Sequence, residues 1–122
     1  MPTPYLTEMA IVSRNNEAVS KIILLTKLVD GVRVPLDLTS RTFLSQARYG
    51  KNTLSDLICN INVAVYGDPL DGNILLSVDE DVMLNLSPLK GHYDIVTRTG
   101  SGPRDNIFVA PFIVEGGVSN WD

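Results

Sequence analysis

Apolar and polar positions alternate along most of this chain. From Leu57 to Tyr66, Cys59, Ile61, Val63 and Val65 alternate with Asn60, Asn62 and Ala64, the period of two that sets one face of a strand against a core. Ile74, Leu76 and Val78 repeat the pattern after the turn signal Asp71-Gly72, and His92 to Thr99 reads as the start of a further strand. In the last strand, Asn106 to Glu115, Phe108, Ala110, Phe112 and Val114 share one face while Ile107, Val109 and Ile113 share the other. Pro111 cannot donate to a ladder, so this strand is expected at a sheet edge or bulged there. Phe43, Ser45, Ala47 and Tyr49 fall on one face of Arg41 to Tyr49, and the small Ser45 and Ala47 predict close approach of a facing layer. Ser20 to Val29 is apolar on both faces, which predicts a strand covered on both sides.

One short helical turn is expected between the Ile74 strand and the His92 strand. Ser77 with Glu80 matches a capping box; alternatively Asp79 caps while Val78 staples onto Met83. Pro88 and Gly91 then stop any helix. Short strands at even spacing, separated by Gly, Pro, Asp and Asn, predict an all-β fold: an immunoglobulin-like antiparallel β-sandwich of about seven strands with one short helical turn. The Cys…Trp…Cys spacing of antibody domains is absent, which excludes antibody-type kinship. Residues 1–18 are expected as an extended N-terminal arm with room for a short strand, 19–119 as the sandwich, and 120–122 as a C-terminal tail. The apolar part of the arm, Met9 to Val12, needs a surface to lie against, and a neighbouring molecule is one candidate.

Composition narrows the function classes. At 122 residues and 44% apolar, the chain is long enough to bury a two-layer core without disulfides or metals. No apolar run approaches the roughly 20 residues that span a bilayer, and Met1-Pro2-Thr3-Pro4-Tyr5 lacks the basic and apolar regions of a signal peptide, so neither a membrane partner nor export is expected. A formal charge of −4 with scattered basic residues argues against nucleic acid. The single cysteine, Cys59, sits in an alternating apolar run and reads as a small buried hydrophobe. The single histidine, His92, lacks a second histidine or paired nucleophile and reads as an exposed strand-end residue. Asp79-Glu80-Asp81 with Asp68 and Asp71 offers carboxylates to a hard cation, but without the spacing of an EF-hand loop, and helix capping explains the cluster equally well. Gly100-Ser101-Gly102 lacks the lysine and the strand-to-helix context of a phosphate loop. Tyr49, Tyr66, Tyr93 and Trp121 are the candidates for a sugar-stacking platform, although alternation turns Tyr49 and Tyr93 toward the core. No catalytic residue, cofactor or metal ligand is assigned.

The order of several short motifs is informative together. Pro35-Leu36-Asp37-Leu38-Thr39 before a strand, Asp71-Gly72 before a strand, the acidic helical turn, Gly91-His92-Tyr93-Asp94-Ile95, and Glu115-Gly116-Gly117-Val118 follow one another across Lys21 to Ser119. In that order they resemble a β-sandwich domain of tailed-bacteriophage virion proteins, similar to the N-terminal domain of baseplate upper proteins. The resemblance implies a non-enzymatic structural subunit of a tail, baseplate or fibre attachment. Its implied partners are other virion proteins and further copies of itself, as a homo-oligomer in the virion assembled in the host cytoplasm. Ser40 stands where the family tends to glycine. Baseplate upper proteins continue into helical and receptor-side parts beyond this domain, which shifts the expectation toward an adaptor or a capsid decoration protein; a carbohydrate- or calcium-binding adhesion module, using the loop tips Lys51 to Thr53 and Asp68 to Asp71, is the other alternative. The residues expected at protein interfaces are Tyr5, Met9, Ile11 and Val12 in the arm, Phe108 and Phe112 on the last strand, and Val118 and Trp121 at the tail.

Overall fold

The computed structural model describes residues 10–50 and 54–117. Alternating sequence becomes strand throughout: β1 (Ile11–Arg14), β2 (Val19–Leu24), β3 (Thr26–Val29), β4 (Val32–Pro35), β5 (Arg41–Arg48), β6 (Leu57–Val65), β7 (Asn73–Val78), β8 (Leu89–Thr99) and β9 (Asp105–Glu115), with one short helix, α1 (Glu80–Leu84), and a 3-10 turn at Pro69–Asp71. Seven strands join in the order β1-β9-β8-β5-β6-β7-β2, and β3 with β4 forms a separate hairpin. The corner is β6. Its first part pairs with β5, Ser45 opposite Ile61, while its second part pairs with β7, Asn62 opposite Ser77, so one strand belongs to both layers. The layers are therefore β9-β8-β5 and β6-β7-β2, the β-sandwich of about seven strands expected from the sequence.

One pairing departs from an all-antiparallel sandwich: β1 runs parallel to β9, Ile11 opposite Phe112 and Arg14 opposite Glu115. The apolar part of the expected arm thus lies against its own sandwich, and Ile11 belongs to the core. The core between the layers is built from the inward set of each strand, including Ile11, Val19, Ile23, Ala47, Ile61, Ile74, Leu76, Tyr93, Ile95, Ala110, Phe112 and Val114. Tyr93 meets Phe108 edge to face, with ring centroids 5.6 Å apart. Among the described residues the two buried polar side chains are satisfied: Ser45 Oγ donates to the Asp94 carbonyl at 2.6 Å, and Thr97 Oγ1 donates to the Thr42 carbonyl at 2.9 Å.

Several expectations are corrected by this packing. Ser20 to Val29 is two strands, and it is not covered on both sides, since Ile22 and Leu24 on β2 are exposed. The chain leaves the sheet at Leu25, whose amide donates to the Gly72 carbonyl at 2.8 Å and whose carbonyl accepts from Leu36 at 2.9 Å. Gly72 is required there: its φ is +75°, and a Cβ would sit 2.6 Å from the Leu25 carbonyl oxygen. Tyr49 is exposed because the β5–β6 ladder shifts register between Ala47 and Arg48, and β5 ends before the tyrosine. The last sheet strand but one begins at Leu89, so Gly91 and His92 lie within it. Gly91 is buried against β5 and β6, where a Cβ would come within 2.6 Å of both the Arg48 carbonyl oxygen and Ile58 Cδ1.

Asp79 is the N-cap of α1, but its side chain makes no cap hydrogen bond; its backbone carbonyl accepts from Val82 and Met83, both at 3.1 Å. Val78 and Met83 are both buried at this turn. Ser40 adopts φ +61°. The left-handed conformation that glycine takes without penalty is thus carried here by serine. Before it, the Asp37 carboxylate accepts from the Thr39 amide at 2.9 Å, and Leu38 is buried.

Candidate functional site

The β3–β4 hairpin gathers three exposed aliphatic side chains. Asp30 and Gly31 both have positive φ, +49° and +79°, as a two-residue turn of the I′ type requires, and they set Val29 opposite Val32 and Leu28 opposite Arg33. The hairpin is held at its base by the Leu25 bonds and by the Leu38 amide, which donates to the Pro69 carbonyl at 2.9 Å; Arg33 Nη1 donates to Thr26 Oγ1 at 3.1 Å. Beyond that base Leu28, Val29 and Val32 are 61%, 43% and 63% exposed. A two-stranded ribbon is marginal by itself, and this one shows aliphatic side chains on both faces. Asp30-Gly31 reads as a turn in the sequence, but taking Ser20 to Val29 as one covered strand left the exposed hairpin around it unrecognised.

Two free edges accompany the hairpin. Among the described residues β2 pairs only with β7, and β9 has β8 as its single neighbour from Asp105 to Pro111 before β1 joins at Phe112. Pro111 therefore sits where its missing N–H breaks no ladder to β1. Unpaired amides and carbonyls along such edges are templates for another strand.

The residues expected at interfaces divide into three groups. Tyr5, Met9, Val118 and Trp121 lie outside the described residues. Val12 is exposed on β1, and Phe108 is half-buried against Tyr93. Ile11 and Phe112 are core residues, a correction with a simple cause: the parallel register sets them opposite each other with both side chains inward, so neither can meet a partner. Among the described residues, what the last strand leaves open is the outward Val109, the half-buried Phe108 and the edge from Asp105 to Pro111.

The chemical candidates do not converge. Asp68 caps the 3-10 turn before β7 and Asp71 is its last residue, while Asp79, Glu80 and Asp81 follow β7, so a whole strand separates the two acidic groups. Asp68 is also engaged, accepting from the Leu70 amide at 2.9 Å. No group of three or more His, Cys, Asp or Glu side chains gathers among the described residues. Tyr49 and Tyr66 are exposed at opposite ends of β6, roughly 25 Å apart at about 3.3 Å per residue, while Tyr93 is buried; they form no common platform. Lys51 to Thr53 lie outside the described residues.

Two further groups deserve their geometry. Burial pushes the Cys59 thiol up to about 11, which removes the thiolate that reactivity requires. His92 is half-buried in β8 between Arg48 and Pro111, and its buried Nδ1 has no hydrogen-bond partner. Nearby, Arg48 donates to the Ser55 carbonyl at 2.8 Å and to Gln46 Oε1 at 2.9 Å, and Gln46 donates to Asn60 at 3.0 Å, a polar network on the outer face of β5. Desolvation raises the Asp94 carboxyl in this neighbourhood above its ordinary range, against the opposing pull of the Gln46 backbone and of Arg48. The hydroxyl and amide of Thr39 hold Asp37 below its ordinary range.

No helix among the described residues is long and apolar enough to cross a membrane. No protein-family model matches the chain, and no curated protein matches it in sequence.

Proposed function

We propose that this chain is a non-enzymatic assembly subunit of a tailed-phage virion, an adaptor of the tail, baseplate or fibre attachment that works through protein contacts with other virion proteins. The observation that carries the reading is the projecting β3–β4 hairpin, with Leu28, Val29 and Val32 open to solvent on a ribbon too small to hold its own core. Burial of such aliphatic side chains against a partner contributes about 1.5–3 kcal/mol each, and the free edges of β2 and β9 add main-chain pairing. The phage assignment draws its support from the ordered motifs. Several motif residues have a local task in the fold: Leu38 fills the core, Asp37 closes the turn over Thr39, Ser40 takes the left-handed position where the resembled family tends to glycine, and Gly91 admits Arg48 and Ile58.

The test uses tailed particles purified from a host carrying the gene. The chain is expected in those particles by mass spectrometry, and a Leu28→Ser, Val29→Ser, Val32→Ser variant is expected to fold with unchanged thermal stability yet be missing from them. Absence of the native chain from purified particles sinks the virion role. Normal incorporation of the hairpin variant would instead move the contact elsewhere on the surface.

A further inference from the structure

An open cleft of about 190 Å³ lies on the β5–β8 side of the sandwich, at the end where β5 begins and β8 finishes, lined by Thr42, Phe43, Leu44, Val96, Thr97, Arg98 and Arg104. Leu44 and Val96 are paired neighbours that give it an apolar wall, and Leu44 is exposed. Arg98 and Arg104 both border it, both exposed, and no hydrogen bond or ion pair engages either guanidinium among the described residues. Two unengaged guanidiniums beside aliphatic surface, in a chain of net charge −4, suit a ligand that combines a carboxylate with a flat aromatic ring: the fork of arginine matches a carboxylate, and its plane stacks on an indole.

The chain sets an indole beside a carboxylate once, at Trp121-Asp122, since Trp121 is its single tryptophan; the other aromatic-carboxylate pair, Tyr93-Asp94, has its ring buried in the core. The same molecule cannot deliver it. Gly117 is fixed at the opposite end of the sandwich, its amide donating at 2.8 Å to Asn15 Oδ1, whose Nδ2 in turn donates to the Leu86 carbonyl at 3.0 Å. Val114, three residues earlier, pairs with Leu89 at the start of β8, and Thr97 in the cleft lies eight residues further along, roughly 26 Å at about 3.3 Å per residue. Residues 118 to 122 span at most about 18 Å when fully extended, so the tail falls short of its own cleft. We propose that the cleft takes the Trp121-Asp122 segment of a second copy of this chain, so that copies join head to tail. Because the donor and acceptor surfaces differ, the contact is heterologous and builds rings where the rotation closes or filaments where it does not. The inference rests on reading the chain as an assembly subunit and specifies one of its contacts with itself.

Complementation tests it without reliance on a single damaged variant. One variant keeps the tail and loses the cleft charge, Arg98→Glu with Arg104→Glu; the other keeps the cleft and lacks residues 118 to 122. The wild type is expected to associate with rising concentration in analytical ultracentrifugation, with a matching blue shift of the Trp121 emission. Each variant alone is expected to associate at least about tenfold more weakly. Mixed in equal amounts, the tail kept by the charge-reversed variant meets the cleft kept by the truncated one, so a 1:1 dimer with blue-shifted emission is expected and supports a head-to-tail contact. A wild type whose mass and emission do not change with concentration, a truncated chain that associates as strongly as the wild type, or a mixture that stays monomeric overturns it. Binding of glucuronate to the cleft with no competition from a Gly-Val-Ser-Asn-Trp-Asp peptide also overturns it, in favour of an acidic-sugar site. A chain found in purified particles yet monomeric in these assays overturns the head-to-tail contact and leaves the virion role standing.

Discussion

Replacing Ile11 with alanine asks whether the N-terminal strand belongs to the folded domain or merely visits it. Ile11 is 3% exposed and pairs in parallel with Phe112, whereas its neighbour Val12 is 57% exposed and points the other way. The Ile11→Ala change deletes three buried carbons, about 2.4 kcal/mol at roughly 0.8 kcal/mol per methylene, and incomplete collapse of the resulting space brings the expected loss to about 3 kcal/mol. With unfolding entropy near 2.1 cal/mol/K per residue over 122 residues, that loss lowers Tm by about 12 °C. Val12→Ala is expected within about 0.5 kcal/mol of the native chain. Thermal and urea unfolding followed by circular dichroism measure both. Equal effects at the two positions, or a neutral Ile11→Ala, would refute the inward register of β1. Removal of residues 1–18 should then destroy stability, because the cut takes the β1 ladder and the Ile11 side chain together.

Two other outcomes follow from single residues. Ser40 holds φ +61°, so Ser40→Gly is expected to stabilise by about 1 kcal/mol and to raise Tm by a few degrees in the same unfolding assay; a decrease would mean that the serine side chain makes a compensating contact. Burial raises the Asp94 carboxyl, so the folded state favours its neutral form: the stability linked to this group is full below the unfolded aspartate pKa and is lost as pH rises through the higher folded value. Asp94→Asn is accordingly expected to be more stable than the native chain at neutral pH, with the gain vanishing in acid, as urea midpoints across a pH series would show; a gain that grows toward low pH contradicts this sign.

Local pattern was enough to make most of the strands legible. The period of two in Leu57 to Tyr66, in Ile74 to Val78 and in Phe108 to Val114 depends only on consecutive side chains taking opposite faces, and the inward sets read from it lie in the core or pack against it, except Val65 at the end of β6, which is exposed. Turn chemistry was equally local: Asp30-Gly31 and Asp71-Gly72 mark reversals because their backbones take positive φ at Asp30, Gly31 and Gly72. Even the single short helix was announced by Asp79 and by the buried Val78 and Met83, though the side-chain cap itself did not form.

What the sequence by itself determined, then, was the class of fold, the number of sandwich strands and most inward faces; the tertiary structure decided which apolar residues are left for a partner. Ile11 and Phe112 looked like interface residues because nothing local reveals that β1 will lie beside a strand a hundred residues away in parallel register. Ile22 and Leu24 looked covered because an apolar face says only that it avoids water, and β2 proves to be an edge with nothing over it among the described residues. Tyr49 left the core through a register shift set by the β6 partner, and the hairpin gained its exposure from bonds between Leu25, Gly72 and Leu36 that span nearly fifty residues of chain. Alternation is a property of neighbours along the backbone, whereas exposure is a property of neighbours in space, and the second is fixed only when the sheets have closed on each other.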